Sequence, residues 1–97
     1  MDAPKYYRGG PSLKPLPSDY RIDRSTGLLK STRGVSVRDQ PDGLDRFGGA
    51  YEVGNLPPNL GIIQIGRDPH HFEIVPAVPM TLAEFEAALA QITLTRV

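Results

Sequence analysis

Apolar and polar residues alternate along this chain in short bursts, each bounded by glycine or proline. In Gly34-Val35-Ser36-Val37-Arg38 the two valines point one way and Ser36 the other, the pattern of a half-buried strand. Residues 50–53 read as a strand with Tyr51 and Val53 on one face. Residues 61–66, Gly-Ile-Ile-Gln-Ile-Gly, read as a short apolar strand between glycines. After the turn at Asp68-Pro69, residues 71–76 alternate again. Phe72 and Ile74 fall on one face of that strand, and His71 and Glu73 on the other. So short a connection predicts a hairpin between residues 62–65 and 71–75. A further strand is expected at 5–8, ended by Gly9-Gly10-Pro11, and a brief strand or edge segment at 19–23. Pro11, Pro15 and Pro17 make residues 12–18 an extended surface loop. Pro41-Asp42-Gly43 is a turn, followed by one helical turn at 44–47 and a loop around Pro57-Pro58.

The period changes once. Leu82, Phe85, Leu89 and Ile92 recur at helical spacing, and alanines fill the positions between them. Thr81 with Glu84 three residues later is a capping box, and Met80 before it can pack on Phe85. The helix is predicted over 82–92 and must bury its apolar face on the sheet, because a helix this short is marginal alone. These elements predict an α+β fold: a small, mostly antiparallel twisted sheet of about five short strands with one C-terminal helix packed on it. The 97 residues fit a single domain, with residues 1–4 a loose lead-in and 93–97 a short tail.

Charge narrows the choice of partner. Eleven basic and eleven acidic residues give a net charge of zero, which argues against a partner held by phosphate charge, nucleic acid included. The first forty residues are nonetheless locally basic, which favours a small anionic ligand there or is ordinary solvated charge. There is no cysteine, which excludes disulfides and thiol catalysis, and two histidines alone make a poor zinc site. No apolar run approaches the roughly 20 residues needed to span a bilayer, and the N-terminus lacks the apolar segment of a secretory signal. The expectation is a cytoplasmic protein without a membrane partner, reaching any target cell by another secretion route.

Three places carry residues able to do chemistry. His71 and Glu73 share a strand face, an imidazole beside a carboxylate that can orient a hydroxyl or exchange a proton. They are equally compatible with a solvated sheet face. Arg8 stands after Tyr6-Tyr7 and before Gly9-Gly10, offering a forked donor for phosphate where glycine lets a ligand approach the backbone. Ser36 puts a hydroxyl opposite the valines. Phosphate-loop, dinucleotide-fingerprint, nucleophile-elbow and zinc-protease motifs are all absent, so no metal is expected.

Taken in order, Tyr7-Arg8-Gly9-Gly10, Gly34-Val35-Ser36-Val37 and His71-Phe72-Glu73-Ile74 resemble the three-part layout of ADP-ribosyltransferase-fold proteins, above all the small bacterial toxins of that fold that include type VI secretion effectors. The resemblance runs from Tyr6 to Ile92. It departs in having Val-Ser-Val in place of a Ser-Thr-Ser run and in lacking a Glu-x-Glu pair on the late strand, where Glu73 stands alone. It implies a toxin that uses NAD as substrate, by transfer of ADP-ribose to a macromolecule or by hydrolysis. The resemblance makes Arg8, Ser36, His71 and Glu73 the catalytic set and Tyr7, Arg8, Gly9, Ser36 and Tyr51 the NAD-binding set. Arg8 would meet the phosphates or ribose, Ser36 would brace the nicotinamide ribose, and Tyr7 or Tyr51 would stack on nicotinamide. His71 or Glu73 would stabilise the charge that develops as nicotinamide leaves. Such a toxin implies a cognate antitoxin or immunity protein as partner. Small size and zero net charge also fit a non-catalytic interaction protein, such as an antitoxin, immunity protein or accessory subunit.

Overall fold

The alternating segments become strands of one sheet in the computed structural model, which describes residues 3–97. These strands are β1 (Tyr7–Gly9), β2 (Val35–Arg38), β3 (Ala50–Val53), β4 (Leu60–Gln64), β5 (His71–Pro76) and β6 (Leu94–Arg96). One helix, α1 (Leu82–Ala90), lies between β5 and β6. The sheet order is β4-β5-β2-β1-β3-β6, and every neighbouring pair is antiparallel. The protein is thus a small α+β domain built on a six-stranded antiparallel sheet. The expected hairpin is present, with Ile62 opposite Ile74 and Gln64 opposite Phe72.

Directly opposed residues share a face of the sheet. Val35 pairs with Ile74 and Val37 with Phe72, and this face meets the helix. Val35, Val37, Ile74, Met80, Phe85 and Leu89 are buried together, with Tyr6 meeting Phe72 edge-on at 5.0 Å between ring centroids. Each large apolar side chain sealed here contributes about 1.5–3 kcal/mol of burial. Thr81 caps α1 by accepting from the Glu84 N–H, and the Glu84 carboxylate accepts from the Thr81 N–H in return. The helix stops at Ala90, short of the expected residue 92, but Ile92 still closes the core.

Two expectations change. Residues 94–96 are a strand bonded to β3, where a tail was expected. No strand forms at 19–23. A 3-10 turn spans Pro17–Asp19, and beyond it Ile22 makes a single bridge to Leu29. Pro17 presets the backbone angle of that turn, and the Asp19 carboxylate accepts from the Leu16 N–H and holds it. Of the expected lead-in at 1–4, residues 1 and 2 lie outside the described residues. None of the described helices is long and apolar enough to cross a membrane.

Candidate functional site

The sheet order makes β5, β2 and β1 neighbours, which brings together the three separate stretches that carry chemistry. Ser36 lies directly opposite Glu73, Arg38 opposite His71, and Tyr7 opposite Arg38. All five are therefore on the face turned away from the helix. β1 and β2 pair at Tyr7–Arg38 alone and then separate. A groove of about 700 Å³ opens at this divergence. Tyr7, Arg8, Gly9, Ser36 and His71 line it, so most of the sequence-predicted set converges on one concavity.

His71 owes its orientation to Glu73. Its Nε2 lies 3.0 Å from Glu73 Oε2. A carboxylate oxygen accepts, so Nε2 donates, and in the neutral ring Nδ1 is the nitrogen whose lone pair can meet a ligand. Glu73 itself is only 2% exposed. Its Oε1 accepts from the Gly34 N–H at 2.8 Å and lies 3.4 Å from Arg33 Nε. Three donors thus surround the buried carboxylate, as a buried charge requires. Gly34 is needed for this close approach, since any Cβ at that position would overlap the Ile74 carbonyl. Glu73 is therefore the foundation of the groove rather than part of its surface, and it reaches a ligand only through His71.

Arg8 fills the gap between the diverging strands. Its Nη1 donates to the Ser36 carbonyl at 2.8 Å, and its Nε to the Ser12 carbonyl at 3.0 Å. The guanidinium supplies the bond that β1 backbone would otherwise give to Ser36, and it ties down the proline-rich loop. Burial lowers its pKa, with Asp19 opposing that shift. Its remaining N–H groups are those available to an anion.

Tyr51 is not among the lining residues. It faces Arg96, whose guanidinium lies 5.8 Å from its ring centroid. The groove instead includes residues that the sequence reading did not single out: Leu16, Asp19, Arg38, Asp42, Arg46 and Phe47. Phe47 is 52% exposed, and Leu16 is 60% exposed. Phe47 sits at the end of the 3-10 turn Asp45–Phe47, above Gly9, where a Cβ would come within 2.8 Å of its ring. The Arg46 guanidinium lies 4.8 Å from the Phe47 ring centroid. The available signal was Leu-Asp-Arg-Phe-Gly-Gly, an aromatic beside an arginine at a turn. His70 takes no part in the groove lining and pairs with Asp39 at 2.9 Å.

The site combines a fixed imidazole, a hydroxyl, several guanidiniums, two carboxylates and an exposed aromatic ring. This set suits a polar ligand with both an anionic part and a planar ring. Among the described residues no group of His, Cys, Asp and Glu is arranged to hold a metal ion. No family model, curated protein or solved structure matches the chain.

Proposed function

We propose that this protein is an NAD-using toxin of the ADP-ribosyltransferase type, acting by transfer of ADP-ribose to a macromolecule or by hydrolysis of NAD. The observation that carries the reading is the adjacency of β5, β2 and β1, which places Arg8, Ser36 and His71 around one groove with Glu73 beneath it. In this scheme the free N–H groups of Arg8 meet the pyrophosphate, and Ser36 and His71 Nδ1 hold ribose hydroxyls. The bond from the ribose anomeric carbon to nicotinamide breaks, and its electron pair leaves with nicotinamide. The positive charge left on the ribose is met by the Glu73 carboxylate acting through the His71 ring, with the carboxylates of Asp42 and Asp19 also lining the groove. Water or a nucleophile on the target then bonds to the ribosyl carbon and releases its proton to solvent.

The test is release of nicotinamide from NAD by the purified chain. His71→Ala is expected to lower the rate at least about a hundred-fold, as for loss of a group that acts in the transition state. It should leave the fold intact, because the ring is partly exposed. Absence of both nicotinamide release and saturable NAD binding would remove the enzyme reading. A second reading, a non-catalytic interaction protein such as an antitoxin, immunity protein or accessory subunit, is favoured by one fact. Arg8 and Glu73 already bond groups of the protein itself. A stable complex with a partner protein, coupled with no NAD binding, would decide for it.

A further inference from the structure

The two edges of the sheet are unlike. β6 is three residues long and carries Arg96, a short and charged edge of the kind that resists pairing. β4 at the other edge is Leu-Gly-Ile-Ile-Gln, with no charge, proline or bulge, and residues 57–66 contain no charged side chain at all.

Its bonding can be read residue by residue. Ile65 N–H donates to the His71 carbonyl, and Ala77 N–H to the Asn59 carbonyl. Both pairs continue the β4–β5 register, so the odd-numbered residues of this strand bond inward. Leu60, Ile62 and Gln64 consequently turn their backbone groups outward. The Leu60 N–H is taken by the Pro57 carbonyl. The N–H and C=O of Ile62 and Gln64 and the C=O of Leu60 meet no backbone partner among the described residues.

We infer that two copies of this chain join edge to edge through β4, antiparallel, across a two-fold axis at Ile62. Ile62 then exchanges both backbone bonds with Ile62 of the second copy, and each Gln64 N–H reaches the Leu60 carbonyl opposite. This register uses the outward groups and leaves the inward ladder intact. It also sets Gly61 against Ile63 of the second copy. Ile63 is 38% exposed, and a Cβ added at Gly61 would meet only the Ala77 Cβ, at 3.9 Å. Each Ile63 side chain thus finds a notch over the facing glycine, twice by symmetry. No like charges oppose each other across the axis. The pattern is self-complementary, as a two-fold interface must be, which favours a second copy over an unrelated strand. The contact is smaller than a standard interface, so association in the micromolar range or weaker is expected.

Sedimentation over a wide concentration series, with hydrogen exchange, tests it. The mass should rise from that of one chain to that of two and stop there, while the Ile62 and Gln64 amides gain protection as concentration rises. Ile63→Lys should weaken association about ten-fold or more. Gly61→Val fills the notch but suits a strand, so it should weaken association without lowering thermal stability. If Ile63→Lys fails to fold, the Gly61→Val result decides. A chain monomeric throughout, a dimer indifferent to both changes, open-ended polymers, or unprotected Ile62 and Gln64 amides in the dimer would each overturn the inference.

Discussion

Glu73 shows at the scale of one residue how the site and the fold share a group. The carboxylate accepts from Gly34, faces Arg33 and orients His71, and it is almost sealed from water. Glu73→Ala therefore leaves a buried N–H without its acceptor and an arginine without its counter-charge. A loss of about 3 kcal/mol is expected, the usual cost of removing one partner of a buried pair. Glu73→Gln keeps an oxygen for Gly34 and should lose clearly less. However, its amide N–H₂ now donates to the imidazole, which forces the ring proton to the other nitrogen. Urea titrations of the two variants, together with His71 tautomers read by nitrogen NMR, separate the two roles. Equal stability for all three proteins would show that the carboxylate is not a foundation. Period-two alternation placed Glu73 on the face away from the helix. It could not show that Arg33 and the turn before β2 cover that position, because burial depends on what lies above a strand.

At the scale of elements, legibility followed the strength of local pattern. The capping box from Thr81 to Glu84 and the apolar face of α1 are local facts, and the helix starts where they place it. The hairpin β4–β5 was legible because its connection is short and both arms are apolar. β6 was not, since Leu94-Thr95-Arg96 becomes a strand only by pairing with β3, more than forty residues earlier in the chain. The groove was half legible for the same reason. Arg8, Ser36 and His71 come from strands whose adjacency is a tertiary fact, and Phe47 enters the groove because its turn lies over Gly9. Gly34 offers a direct test at this scale. It precedes β2, gives its N–H to Glu73, and has the Ile74 carbonyl where a side chain would begin. Gly34→Ala must push β2 away from β5 at the centre of the sheet. A drop in thermal midpoint larger than that of Thr81→Ala, which should cost about 1 kcal/mol, is expected in paired melts. A smaller drop would mean that the β2–β5 seam yields easily.

For the whole molecule, acid is the informative stress. Net charge is zero, yet three carboxylates at separate corners have pKa values below their ordinary ones. Asp23 is lowered first by the Ser25 hydroxyl and then by the Ser25 N–H. For Asp68 the His70 N–H comes first and the Arg38 side chain second, while the Thr81 N–H and hydroxyl lower Glu84. In each case the unfolded chain binds a proton more readily than the folded one. Stability from these groups is therefore complete above their ordinary values of 3.8, 3.8 and 4.5, and it is lost as pH falls through those values towards the lower folded ones. All three side chains are open to solvent, so each share is small, but the three losses occur in one window and have one sign. As the carboxylates are neutralised, the eleven lysines and arginines also lose their balance and repel one another. Urea midpoints measured against pH should therefore stay level from neutrality to about pH 5 and then fall steeply. Asp68→Asn should make the descent shallower by removing one protonation step, while lowering the neutral plateau slightly. The pair Arg38–Asp68 bridges the end of β2 to the turn before β5, at the rim of the groove. If the wild-type curve stayed level down to pH 3, or if Asp68→Asn left its slope unchanged, these bonds would have no part in holding the rim.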